Sequence, residues 1–236
     1  MTAEAFRAEI DRFALAEVSL DVDALARARA AVSRSGLLLL GEPHGAAETP
    51  NVIYTLMRAL ELRGLGFEWS HEELGQVVEE FVATGELDLE RLWHERPEEF
   101  FCGDGRVTAG HFALLERLRG EGRLDQVVLF DRLDPGTKER DTEMAERLLR
   151  EWSREVPLLA VAGAAHVRLD RDSSMAALVR ASGVPLATAA IEYEAGELWF
   201  HGVRLVDRTT VSAEIAFAAG RPTPAVVPSR SPARGG

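Results

Sequence analysis

Two histidines share a local pattern. Gly41-Glu42-Pro43-His44 and Gly163-Ala164-Ala165-His166 are both Gly-x-x-His, and each follows a short apolar run. Glycine lets a backbone bend close to a ligand. An imidazole three residues on, with an unperturbed pKa of about 6.5, exchanges protons near neutrality and suits general acid–base work. Two neutral imidazoles with a carboxylate are equally a ligand set for a divalent metal, and the sequence leaves both readings open. Carboxylates occupy comparable places: Glu42 inside the first motif, Glu68 in Gly66-Phe67-Glu68, and Asp131 after Val127-Val128-Leu129-Phe130. Arg140, in Arg140-Asp141-x-x-Met144-Ala145, supplies a guanidinium able to bind a carboxylate or a developing oxyanion. Standing alone, that charged helix segment would read as a solvated face.

Apolar periodicity identifies the elements that must position these groups. Residues 37–40, 65–69, 127–130 and 157–163 are short apolar runs of the kind found in strands buried on both faces. Helical spacing lies around them at 24–32, at 49–60 with Thr49 as N-cap and Pro50 at the first helical position, and from Ser70, where Ser70-His71-Glu72-Glu73 forms a capping box. Further helix is predicted over 87–101 with a break at Pro97, and over 108–118, 137–152 (after a turn at Asp134-Pro135-Gly136) and 173–181. Residues 185–193 and 197–206 read as strands joined at Glu194-Ala195-Gly196. The pattern predicts an α/β fold: a mainly parallel central sheet flanked by helices, with a C-terminal antiparallel hairpin. Ligands of such sheets sit outside the C-terminal ends of the strands. Here those ends carry Glu42 and His44, then Glu68, Asp131 and His166, more ionisable groups than turn chemistry requires.

Composition narrows the function classes. The 236 residues carry a formal net charge of −12, so no basic face is expected for nucleic acid or anionic lipid. With one cysteine, Cys102, no intrachain disulfide or cysteine metal cluster forms, and nothing nearby signals a lowered thiol pKa. The N-terminus lacks the apolar core of a secretory signal and no apolar run is long enough to span a bilayer, so a cytoplasmic protein is expected, without a membrane partner. Residues 1–220 read as a single α/β domain, and 221–236, rich in Pro, Arg, Ser and Gly, as a disordered tail. His71, His94, His111 and His201 read as surface residues. No Gly-x-Ser-x-Gly elbow, phosphate-binding glycine loop or dinucleotide fingerprint occurs.

Leu39-Leu40-Gly41-Glu42-Pro43-His44-Gly45, Gly66-Phe67-Glu68, Arg140-Asp141-x-x-Met144-Ala145 and Ala162-Gly163-Ala164-Ala165-His166, in that order, resemble the erythromycin esterase/ChaN/Tiki superfamily. The resemblance extends over 37–167. It implies an α/β fold with the site at the strand ends, site residues His44, Glu68 and His166, and supporting roles for Arg140 and Glu42. Members of that superfamily include macrolide-lactone esterases, metal-dependent peptidases and haem-binding ChaN-like proteins. The resemblance therefore implies a hydrolase acting on an ester, lactone or amide of a small-molecule or peptide substrate, with or without a metal as in the peptidases, in natural-product tailoring or resistance. Its alternatives are a ChaN-like haem or iron binder, and a lyase or cyclase using the same residues.

Overall fold

The computed structural model describes residues 1–95, 97–98, 100–132, 139–209 and 212–229. In chain order the elements are α1 (Ala3–Arg12), α2 (Val22–Ser35), β1 (Leu37–Glu42), α3 (Thr49–Ala59), β2 (Gly64–Ser70), α4 (His71–Thr84), α5 (Leu89–Glu95) and α6 (Ala109–Gly120). There follow β3 (Gln126–Asp131), α7 (Arg140–Glu151), β4 (Leu158–Gly163), α8 (Met175–Ala181), β5 (Ala187–Glu192), β6 (Gly196–Trp199), β7 (Val203–Val206) and β8 (Ile215–Ala218). Among the described residues the main sheet has six strands in the order β3-β2-β4-β1-β5-β8, all pairs parallel, while β6 and β7 form a separate antiparallel ladder. This is the expected α/β architecture.

The period-two alternation of the strands explains the layering. Along β1, Leu38 and Leu40 join one buried cluster with Val52 and Leu56 of α3 and Leu114 of α6. Leu37 and Leu39 join the other, with Met144 and Leu148 of α7 and Val179 of α8. A strand covered on both faces has no need of polar residues until it leaves the core, so its first ionisable group marks its C-terminal end.

Several local expectations are corrected. Thr49 does not cap α3: Glu48 holds that position without a side-chain bond, and the Thr49 hydroxyl lies 2.9 Å from the hydroxyl of buried Tyr193. A buried phenol needs a partner more than this helix needs a cap. The predicted hairpin between 185–193 and 197–206 is displaced by one turn. Strand β5 is paired on both edges, by β1 and β8, so β6 cannot join it and folds instead on β7 around Phe200-His201-Gly202. Among the described residues of 87–101, helix is limited to α5. The Asp134-Pro135-Gly136 turn and the predicted helix start at Thr137 lie outside the described residues.

Part of the segment read as a tail packs against the loop after β1 and the start of α6. Pro224 bridges Ala46, the Ala225 N–H donates to Gly45 O at 2.9 Å, the Ala109 N–H donates to Val226 O at 2.9 Å, and Ala225 and Val227 are buried. Residues 230–236 lie outside the described residues. Among the described residues, no helix is long and apolar enough to cross a membrane.

Candidate active site

Strands β2, β4 and β1 are adjacent in the sheet, and their C-terminal ends bring together groups far apart in the chain. Glu42, the last residue of β1, is in register with Gly163, the last of β4. His44 follows two residues after β1, and His166 lies in a single 3-10 turn, Ala164–Val167, directly after β4. Glu68 comes from β2, on the other side of β4.

Both imidazoles face one carboxylate. His44 Nε2 lies 3.7 Å from Glu68 Oε2, and His166 Nε2 lies 3.5 Å from Glu68 Oε1. The opposite nitrogen of each ring is held by its own acid: His44 Nδ1 lies 2.5 Å from Glu42 Oε1, and His166 Nδ1 lies 2.7 Å from Asp141 Oδ1. An ionised carboxylate only accepts, so Nδ1–H is the donor in each pair. Asp141 Oδ1 also accepts the Met175 N–H at 2.8 Å, tying it to the start of α8. The imidazoles remain reachable, with side-chain exposures of 16% for His44 and 15% for His166, while Glu42 and Glu68 are buried.

Two arginines hold the carboxylates in place. Arg140, the first residue of α7, donates to Glu68 Oε1 at 2.6 Å and to Asp131 through both Nε and an Nη. The guanidinium expected to meet an oxyanion is thus engaged with two buried acids. Arg106 donates to Asp131 Oδ2 at 2.7 Å and to Asp104 Oδ2 at 2.6 Å, and approaches Glu68 Oε1 at 3.3 Å. Glu68 Oε2 accepts the Gly163 N–H at 2.6 Å.

All five predicted residues, Glu42, His44, Glu68, Arg140 and His166, therefore share one network. Sequence reasoning missed Asp141, Arg106 and Asp104 as members. Asp141 adjoins Arg140 in a motif already singled out. The opposite charges flanking a glycine in Asp104-Gly105-Arg106 were the one available signal for the other two.

Charge follows from this packing. Burial alone would lower the His44 pKa, but the Glu42 and Glu68 carboxylates outweigh it and raise the value to about 10. His44 is thus an imidazolium at neutral pH. Burial opposes the charged form of Glu68, yet His44, Arg106 and His166 hold its carboxyl well below the usual range. Asp141 is likewise lowered, with burial opposing and His166 favouring its ionised form. His111, expected on the surface, is buried against Phe67 and Trp69 with Nδ1 2.9 Å from the Thr108 hydroxyl, and burial pushes its pKa down to about 3. Cys102 is pushed up to about 12, by burial and then by Asp104, consistent with an unreactive thiol.

The glycines of the two motifs are there for space. A Cβ on Gly163 would stand 2.9 Å from His44 Nε2 and 3.3 Å from Glu68 Oε2; one on Gly41 would stand 2.4 Å from Val167 Cγ2. Gly45, at φ +84°, is pressed against the β6–β7 hairpin: the Trp199 N–H donates to Gly45 O at 3.0 Å, and Gly45 N–H donates to Gly105 O at 3.1 Å. His44's turn and the Arg106 loop are thereby bolted to each other and to the hairpin.

This donor set does not fit a divalent metal. The oxygens of Glu68 already accept from Arg140 and from the Gly163 N–H, and a second guanidinium lies at 3.3 Å. A cation would sit against those positive groups. Among the described residues no group of three His, Cys, Asp or Glu side chains has an arrangement suited to an ion. Haem needs a large apolar face, whereas each of these rings is flanked by two carboxylates.

No known protein family and no curated protein matches the sequence. Solved structures do match. A Bacillus cereus protein superposes with a TM-score of 0.60 at 9% identity, covering 97% of this chain and 100% of that one. A structure described as bacterial protein toxins gives a TM-score of 0.51 at 14% identity, covering 80% of this chain. This chain spans 38% of that toxin chain. RRSP, a MARTX toxin effector domain from Vibrio vulnificus, gives 0.49 at 16% identity, with 80% of this chain and 44% of that one covered. What the Bacillus cereus protein and the first toxin structure share with this chain is the fold.

Proposed function

We propose that this chain is a hydrolase of the erythromycin esterase/ChaN/Tiki-like superfamily, acting on an ester, lactone or amide of a small-molecule or peptide substrate. The observation that carries this reading is the convergence of His44 and His166 on Glu68, each ring oriented from behind by a separate acid. The order of the motifs across 37–167 supports the superfamily.

The two histidines have different roles. His166, with Nδ1–H on Asp141, presents Nε2 as the base that takes a proton from attacking water. His44, held cationic between Glu42 and Glu68, donates through Nε2–H to the carbonyl oxygen as it becomes an oxyanion. When the tetrahedral intermediate collapses, the imidazolium formed on His166 returns its proton to the departing alkoxide or amine. Glu68, which accepts from Arg140 and has Arg106 beside it, stabilises positive charge on both rings throughout. No metal enters these steps.

The test is a hydrolysis screen of esters, lactones and peptides by the wild type, His44→Ala and His166→Ala. General acid–base catalysis contributes about 10²–10⁴-fold, and either substitution is expected to remove that much from kcat. Wild-type turnover retained in both variants would defeat the proposal. Carrying out the reaction in H2¹⁸O places label in the acid product of a hydrolase, and none in the product of a lyase or cyclase.

A further inference from the structure

A groove lies at the opposite end of the strands from the histidines. Its volume is about 580 Å³, and it opens where α2 and α8 meet the first residues of β5 and β8, whereas the histidines occupy the strands' C-terminal ends. Arg27 and Arg34 line it from α2, and Arg180 lines it from α8. Leu186 and Ile215 contribute an apolar wall.

The charge here contrasts with that of the chain. Against a net −12 overall, three guanidiniums share this groove with a single acid, Glu214. Glu214 is already engaged: Oε1 accepts from Arg180 at 2.7 Å and Oε2 accepts the Thr188 N–H at 3.1 Å. Among the described residues, Arg27 and Arg34 form no ion pair. They stand seven positions apart on one helix, about 10 Å at 1.5 Å per residue, with Arg180 on the facing wall. Guanidinium forks match phosphate oxygens in bidentate geometry, and the groove volume falls within the range of roughly 300–1,000 Å³ typical of small-molecule sites.

We propose that this groove binds a nucleotide-sized small molecule bearing a polyphosphate, with its phosphates between Arg27, Arg34 and Arg180 and its ring against Leu186 and Ile215. The site is independent of the hydrolytic reading.

The test is calorimetric titration of the full chain with ATP, inorganic tripolyphosphate and adenosine at 0.15 M salt. Saturable one-to-one binding of ATP is expected, weaker binding of tripolyphosphate, and affinity that declines as salt rises. Arg27→Glu/Arg34→Glu should weaken ATP binding at least 10-fold, on the order expected for lost charge-assisted contacts. Circular dichroism checks the fold of that variant, and the single exchange Arg34→Gln, expected to weaken ATP several-fold, provides the same reading with less perturbation. Absence of saturable ATP binding, or affinity unchanged in both arginine variants, would overturn the assignment. Tripolyphosphate binding as tightly as ATP would overturn the ring contact with Leu186 and Ile215.

Discussion

Gly163 approaches His44 so closely that a Cβ on the former would lie 2.9 Å from Nε2 of the latter. The second Gly-x-x-His motif therefore does more than carry its own histidine: its glycine leaves room for the histidine of the first. Gly163→Ala should displace the His44 ring while leaving β4 paired, because the backbone there has an ordinary negative φ of −54°. Misplacing a catalytic group by about 1 Å can cost on the order of 10²-fold, so kcat should fall by about that factor with little change in melting temperature. Retained kcat would show that the imidazole has no fixed position to lose.

Asp141 sets the tautomer of His166. Replacing it by Asn presents an amide that can donate toward Nδ1, which would move the ring proton to Nε2 and remove the base. Asp141→Asn is expected to lower kcat by about 10²–10⁴-fold, the contribution of general-base catalysis, with KM nearly unchanged. Asp141→Glu should recover part of the loss, measured by steady-state kinetics on the best substrate of the screen. A rise in KM alone would assign Asp141 to substrate binding.

Arg140 joins Glu68 and Asp131, both buried. Removing one partner of a buried ion pair typically costs about 3–5 kcal/mol, which for a chain of this size is on the order of 10 °C in Tm. Arg140→Met should show that loss in thermal unfolding. An unchanged Tm would mean that Arg106 alone is sufficient to hold the two acids.

The pH dependence of stability has two limbs. His44 has a raised pKa, so its contribution is complete below the ordinary value of 6.5 and is lost as pH rises through about 10. Glu68 and Asp141 have lowered pKa values, so their contribution is present above the ordinary carboxylate range of about 4 and is lost on acidification. Urea unfolding across pH should give a plateau that falls at both ends. His44→Gln should lose stability at neutral pH and flatten the alkaline limb; an alkaline limb identical to wild type would assign it to other groups.

Much of this arrangement was legible in the sequence because the central strands carry no ionisable group before their last three residues. Leu37 through Leu40 made β1 plain, and Glu42 and His44 announced its end. The parallel sheet followed from the alternation of such runs with helical spacing. The roles inside the network were less legible. Asp141 and Arg106 act through partners distant in the chain, and a helical Asp next to Arg140 has the same local signature as a solvated charge. Burial of His111 depends on Phe67 and Trp69 packing over it, which no local periodicity encodes. The hairpin was misplaced because β5 finds its partners in β1 and β8, one of them distant and the other later in the chain. The packing of Ala225 and Val227 was hidden by a composition typical of disorder.

The most direct test of the two-histidine account is an NMR titration of the His44 ring in the intact protein, with His44→Gln for assignment. The account predicts that both ring nitrogens stay protonated through pH 8 and that the proton is lost near pH 10. A His44 ring that is neutral at pH 7.5 would contradict it, since no imidazolium would then face the carbonyl oxygen and the separation of acid from base would fail.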